Sequence, residues 1–345
     1  MCIRDPDPRS VLSQLLSRET TSPLEVPYST AGPQRRRIGA GTCGRVYQDY
    51  DQSLVYKKAK SSFFNTQLQN DHTQHARIYE AFQCHPSITI YLPRPQEFLG
   101  ETLQSRQWWE RNLHNFPSDE QEYSWMLVSE RIPPLDRATR TALIDSYCPE
   151  ALRAQSHSND GNIDCLVRLY LGQQEPARRP SKFAGFSLRN FKLYADQMDH
   201  LGLDVRRYAT IMAQCLAVMH WDVKVDARDV EFVLGSTCGP PPRPATCVWL
   251  LDFNQVQPIS LDIEGVNAAA RAYMDNDFYC PRPGQKLWSV FEEAYLAKSA
   301  QLEVDAAECR GLPELFLTEI KKAEALRLQR IEEGIRREQE RAYVE

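Results

Sequence analysis

The sequence predicts an α+β protein of two lobes, a small antiparallel β lobe followed by a larger helical lobe. Three observations carry that expectation. Between Arg35 and Ile132, β-branched and aromatic runs alternate with glycine and proline turn signals. Pro133-Pro134 then removes two successive backbone donors, which stops a strand and marks a hinge. Beyond the hinge, apolar residues recur three or four apart, as on the buried face of a helix. With 345 residues and 42% apolar content, the chain can bury a large core, and disorder of the whole is excluded. The expected divisions are an N-terminal arm over 1–34, a β lobe over 35–134, a helical lobe carrying an acidic site over 135–312, and a charged helix over 313–345.

Residues 1–34 mix Ser, Thr, Pro and charge without sustained periodicity, which predicts a variable or partly helical arm. Residues 36–48 and 53–59 read as two or three antiparallel strands joined by tight turns. Leu68, His72, His75, Ile78, Tyr79 and Phe82 fall near helical spacing and predict a helix over 66–83. Tyr91-Leu-Pro-Arg-Pro95 breaks that pattern and leads into strands around Glu97 to Leu103, and Trp125 to Ile132 reads as a further strand. After the hinge, 137–155, 189–200, 204–219 and 263–274 read as helices, with Gly202 separating the second and third. From Pro313 onward, Lys and Arg alternate with Glu at helical spacing, as in Glu324, Leu328, Glu332 and Arg336, which predicts a long solvated helix.

A formal charge of −5 excludes a surface coated in basic residues, so nucleic-acid contacts would come from local patches. The candidates are Arg35 to Arg37, Lys57-Lys58, Arg178 to Lys182 with Arg189 and Lys192, and the basic positions of the last helix. Taken singly, each is more often solvated surface. No run approaches the roughly 18 apolar residues of a membrane span, and the N-terminal residues lack a signal-peptide core, which points to the cytoplasm and away from membranes. Ten cysteines occur without one Cys-x-x-Cys pair, against both a zinc finger and a disulfide framework; reduced thiols are expected.

Gly39-Ala-Gly-Thr-Cys-Gly-Arg-Val46 fits the glycine-rich loop of protein kinases, in which residues without Cβ let backbone amides approach phosphates. Lys57 follows on a strand, then a helix, in the kinase order. A hairpin turn that needs glycine for positive φ is the alternative. His220-Trp-Asp-Val-Lys224 and Leu250-Leu-Asp-Phe-Asn254 stand where a kinase keeps its base and its magnesium ligand. A protein-kinase-like two-lobed fold is therefore expected. The departures are specific: Trp221 replaces the arginine between His and Asp, Ala227 replaces the metal-binding asparagine, Asn254 replaces a glycine, and no Ala-Pro-Glu follows. The glutamate of the first large helix has no clean equivalent, His75 and Glu80 being nearest. Phosphoryl transfer needs these parts, so a kinase scaffold is expected to outlast kinase chemistry.

The segment Asp226-Ala-Arg-Asp-Val-Glu-Phe-Val-Leu-Gly235 carries a surplus of acid before an apolar strand. Asp229 and Glu231 are two apart, so both face one side if the strand begins there. Like charges so placed need a cation between them or a raised pKa. Lys224, Arg228, a metal or a ligand guanidinium would serve, as would a purely structural ion pair with Arg228 or Lys57. Asp252 ends the strand signal Val248-Trp-Leu-Leu251, where a carboxylate serves either a ligand or a turn. Asn276 to Pro283 reads as a packed, proline-stiffened loop in preference to a lid. His220, between Met219 and Trp221, is not expected to be a base.

Taken together, Leu216-Ala-Val-Met-His-Trp221, Asp226 to Gly235, Trp249-Leu-Leu-Asp-Phe-Asn-Gln255 and Asn276-Asp-Phe-Tyr-Cys-Pro-Arg-Pro283 resemble a fungal family of unknown-function domains often mislabelled as zinc-finger proteins. The resemblance is strong over about 180–300 and loose over the β lobe. Some of its members are similar to arginine-containing cyclodipeptide synthases, which join arginine and a second amino acid from aminoacyl-tRNAs into a diketopiperazine in secondary metabolism. The resemblance implies Asp229 and Glu231 as amine-binding or general-base groups. Asp222, Asp226, Asp252, Asn254 and Lys57 would shape the substrate pocket, and Trp221 would pack the second side chain. It further implies aminoacyl-tRNAs as partners and no cofactor or metal, because the ester arrives activated. An ATP-dependent phosphotransferase and a non-catalytic binding module are the competing classes.

Overall fold

Short β-branched and aromatic runs in the first part of the chain form a five-stranded antiparallel sheet in the computed structural model, which describes residues 7–17, 35–49, 53–176, 185–237, 246–276, 278–302 and 311–344. Most of the N-terminal arm and the basic run 178–182 lie outside the described residues. The chain divides into two compact units, Met1–Tyr170 with Gln174–Val205 and Val230–Gln255, and Leu171–Gln173 with Arg206–Asp229 and Val256–Glu345.

In the first unit, a short helix α1 (Pro8–Leu16) buries Leu12, Leu15 and Leu16. The first sheet comprises β1 (Arg36–Ala40), β2 (Gly44–Gln48) and β3 (Leu54–Ala59), then, after helix α2 (Asn65–Gln83), β4 (Pro95–Leu99) and β5 (Met126–Glu130), in the order β1-β2-β3-β5-β4. Helix α3 (Leu103–Asn112) lies between β4 and β5 in the chain, in a stretch for which the sequence predicts no element beyond Leu103; Thr102 caps it by accepting from the Ser105 amide. One face of the sheet buries Tyr47, Tyr56, Met126 and Val128 against Trp109 and Phe116.

The predicted helix over 137–155 is two helices, α4 (Arg137–Tyr147) and α5 (Glu150–His157), because Pro149 cannot continue the first. Helix α1 packs on α4. Strand β6 (Val167–Tyr170) was not foreseen, and residues 189–200, expected as helix, begin with β7 (Phe191–Tyr194) before α6 (Ala195–His200). With β8 (Glu231–Gly235) and β9 (Cys247–Leu251) they form a second sheet in the order β7-β6-β8-β9, parallel at β6/β7 and antiparallel elsewhere.

In the second unit, α7 (Val205–Val218) runs into a π-helical turn, Met219–Val223, that ends on Lys224 in the left-handed region. Helices α8 (Ile263–Asp275), α9 (Trp288–Gln301) and α10 (Leu312–Val344) follow, with α10 packed on α8 and α9. The proline-rich loop before α9 is packed, with Cys280 and Arg282 buried and Arg282 Nη1 donating to the buried Glu324 at 2.6 Å. His220 is 1% exposed; its Nδ1 lies 2.8 Å from the Tyr295 hydroxyl and its ring meets Phe316. Burial pulls its pKa down to about 3.

That histidine makes the fold acid-sensitive at an unusually high pH. The unfolded chain takes up the proton near histidine's ordinary value of about 6.5, whereas the folded chain does so only near 3. Between those values the unfolded state binds more protons, so the contribution is complete above about 6.5 and is lost as pH falls toward 3. Unfolding free energies from denaturant titrations across this window are expected to fall by up to about 1.4 kcal/mol per pH unit from this residue. His220→Gln is expected to flatten that slope.

Candidate functional site

Lys57 sits at the middle of β3, paired with Val46 on β2 and Leu127 on β5, so its direction is set by strands on both sides. Of the glycines before it, Gly44 is the one that close packing requires. A Cβ at Gly44 would meet Lys58 O at 2.9 Å and Lys57 Cγ at 3.0 Å, and neither Gly39, Gly41 nor Gly44 has positive φ. The hairpin closes through Gly41 N–H to Gly44 O, and its tip turns inward: Cys43 is 1% exposed, with Asn254 Nδ2 donating toward its sulfur at 3.4 Å. Burial first of all pushes the Cys43 thiol up, so it is no thiolate nucleophile. Gly44→Ala is expected to cost about 1–3 kcal/mol by overpacking, read as a lower denaturant midpoint.

The Lys57 ammonium meets two carboxylates, Asp71 Oδ2 at 2.7 Å and Asp252 Oδ1 at 2.8 Å. Burial alone pulls Lys57 down, but Asp252 and Asp71 hold it well above the ordinary lysine value. Asp71, 2% exposed on α2, also accepts from the Phe253 amide through Oδ1 at 3.2 Å. Asn70 Nδ2 donates to Asn254 O, and the His75 ring packs on Phe253. One face of α2 thereby clamps the Asp252-Phe-Asn254 turn and holds Asp252 at φ +64°. The acidic partner of Lys57 is thus Asp71; neither His75 nor Glu80, the nearest candidates by sequence, fills that place. Its signal was a carboxylate inside the apolar stripe of Leu68, His75 and Ile78.

A cavity of about 220 Å³ opens at this cluster, walled by Gly39, Val46, Lys57, Asp71 and Asp252 together with Arg168, Arg189 and Glu231. The β8/β9 register sets Glu231 opposite Leu251, so Glu231 and Asp252 come to the same end of the second sheet. Arg168 Nη2 from β6 donates to Glu231 Oε1 at 2.6 Å. A second guanidinium pair, Arg131 Nη2 to Asp164 Oδ1 at 2.9 Å, lies on the same wall. The protein cations expected beside Glu231 were Lys224, Arg228 or Lys57, with a metal or a ligand guanidinium as the alternatives; the side chain found there is Arg168, one strand away.

Lys57, Glu231, Asp252 and Asn254 belong to this first unit; Trp221, Asp222, Asp226 and Asp229 belong to the second. Asp229 does not share a strand face with Glu231, because β8 starts at Glu231 and Asp229 has φ +60°. Asp226, 5% exposed, accepts from the Arg228 and Gln257 amides, an arrangement that shapes its own loop; burial pushes its pKa up. Asp222 is exposed. Trp221, expected against a substrate side chain, is 2% exposed in the aromatic core around His220. Arg228 pairs with Asp275 at 2.5 Å.

Of the expected basic patches, Arg35-Arg36 and Lys57-Lys58 are engaged inside the fold, whereas Arg37 is exposed. Arg35 is 4% exposed and stacked over Tyr56, with its guanidinium carbon 4.3 Å from the ring centre. Arg36 pairs with Asp164, and Lys58, 1% exposed, donates to Glu120 O at 2.7 Å. Lys192 remains exposed, and Arg189 is half-buried on the cavity wall.

A family model described as "Zinc finger protein" matches residues 248–307. That segment holds one cysteine, Cys280, and no histidine, too few ligands for a structural zinc site. Among the described residues no three His, Cys, Asp or Glu side chains are grouped to hold a metal ion. No curated protein matches the chain. No described helix is long and apolar enough to cross a membrane.

Proposed function

We propose that the chain is an aminoacyltransferase that joins arginine and a second amino acid, both delivered as aminoacyl-tRNA esters, into an arginine-containing diketopiperazine, on a scaffold we read as kinase-like. The observation that carries this reading is the Glu231–Arg168 pair in the cavity. Glu231 already holds a guanidinium at 2.6 Å, so its position and charge suit the side chain or the amino group of an arginyl ester. A cavity of about 220 Å³ is smaller than the roughly 300 Å³ at which pockets for drug-sized ligands begin, which favours an amino-acid-sized group.

The chemistry asks little beyond positioning and a base. The α-amino nitrogen of one ester attacks the carbonyl carbon of the other; a C–N bond forms, the ester C–O bond breaks, and the departing ribose oxygen takes the proton that the amine gives up through the base. A second, intramolecular attack closes the ring and releases the second tRNA. No electrons change hands. Glu231 accepts the amine proton, while Lys57, held between Asp71 and Asp252, fixes the opposite wall.

One observation favours a second reading, an ATP-dependent phosphotransferase. A strand lysine between a helix carboxylate and a strand-end aspartate is the kinase arrangement. The inward-folded hairpin tip weighs against it, since Cys43 lies against Asn254 where phosphates would need the loop open. Pre-formed aminoacyl-tRNAs separated from ATP discriminate the two. Diketopiperazine formation without ATP is expected, and a strict ATP requirement would overturn the proposal.

A further inference from the structure

Every charged side chain on the cavity wall that the site uses is matched, with one exception. Lys57 has Asp71 and Asp252, Arg168 has Glu231, Arg131 has Asp164, and Glu130 accepts from the Arg94 amide. Arg189 lines the same cavity, yet no carboxylate among the described residues pairs with its guanidinium. Its Nε is enclosed and donates to no acceptor among the described residues. An enclosed donor on a charged group is costly to leave without an acceptor, and on a guanidinium that also has no countercharge a bound anion would supply one.

The backbone around Arg189 is anchored on both sides. Leu188, fully buried, donates its amide to Asn162 Oδ1 at 2.8 Å, and the Arg189 amide donates to Ser187 Oγ at 3.0 Å. Asn190 takes the left-handed conformation at φ +55°, and Phe191 then enters β7 in parallel register with Val167 on β6. The same strand β6 carries Arg168, the partner of Glu231. Arg189 is therefore held by the sheet that presents the proposed base.

We infer that Arg189 is an oxyanion-binding subsite that grips a phosphodiester. This rests on the aminoacyl-transfer reading for its source: an aminoacyl ester has no free carboxylate, so the anion nearest the reacting carbonyl is the phosphate of the tRNA's terminal nucleotide. A guanidinium offers that phosphate a planar fork of donors, and gripping it would hold the ester against Glu231. Arg189 is a positioning residue and takes no proton.

The test is binding of fluorescein-labelled, uncharged arginine tRNA to the full chain as wild type, Arg189→Gln and Arg189→Lys, between about 50 and 200 mM salt. A fluorescent ATP analogue forms the second arm, and circular dichroism melts verify folding. Arg189→Gln is expected to weaken tRNA binding about tenfold or more and to lower the log–log salt slope by about 0.7 to 1, with Arg189→Lys intermediate in affinity and unchanged in slope. Equal affinity and slope in wild type and Arg189→Gln would overturn the subsite, and continued diketopiperazine formation would then leave the transferase reading standing. Arg189-dependent binding of the ATP analogue without tRNA binding would uphold the phosphate subsite and remove the transferase reading. Binding of neither probe by wild type would overturn the subsite.

Discussion

Glu231→Gln is expected to lose diketopiperazine formation by about a hundredfold to ten-thousandfold, the range for removing a positioned general base. Glutamine keeps the volume and one acceptor oxygen but accepts no proton at neutral pH and leaves Arg168 without its countercharge. Both side chains retain some solvent contact, so the fold is expected to survive with a loss of about 1–2 kcal/mol. Mass spectrometry of the product and a thermal melt of the same preparation separate these effects. Full activity in a folded Glu231→Gln protein would remove Glu231 from the chemistry.

Lys57→Met carries the largest expected effect on stability. The substitution keeps the aliphatic stem but deletes the charge between Asp71, which is 3% exposed at its side chain, and Asp252, which is 26% exposed. Two carboxylates then face each other with the inner one desolvated, a loss of about 3 kcal/mol, at the low end for a broken buried pair because Asp252 reaches solvent. Asp71 also holds the Phe253 amide, so the Asp252 turn is expected to loosen. Adding Asp71→Asn to Lys57→Met should recover part of the loss, and a double-mutant cycle by denaturant titration measures it. The contribution of Lys57 is pH-independent through neutrality. Its folded pKa is raised, so its stabilisation is complete below about 10.4 and is lost only as pH rises beyond that. A Lys57→Met protein as stable as wild type would contradict the clamp described for α2.

What could be read from residues alone were the groups whose local pattern announces them. Lys57 lies within a strand run, Asp252 ends an apolar strand, and Glu231 opens another; the cavity brings these three together. Asp71 escaped because a helix carboxylate reads as solvent-facing unless its place in the apolar stripe is weighed, and its partners, the Lys57 ammonium and the Phe253 amide, come from elements distant in the chain. Strands β6 and β7 are four residues each, too short for a period-2 signal, and with them went Arg168 and its pairing. Arg35 looked like a surface cation because composition carries no information about the aromatic cage that encloses it. The shared strand face expected of Asp229 and Glu231 failed on one backbone angle: an aspartate at positive φ turns the chain before the strand starts at Glu231.

The most direct measurement is a reconstitution with labelled arginine, bulk tRNA, aminoacyl-tRNA synthetases and the remaining amino acids, analysed by mass spectrometry with and without ribonuclease. The proposal predicts a labelled diketopiperazine that disappears when ribonuclease is added first and whose mass identifies the second amino acid. Absence of any such product, with charging of the tRNA verified in the same tube, would contradict it.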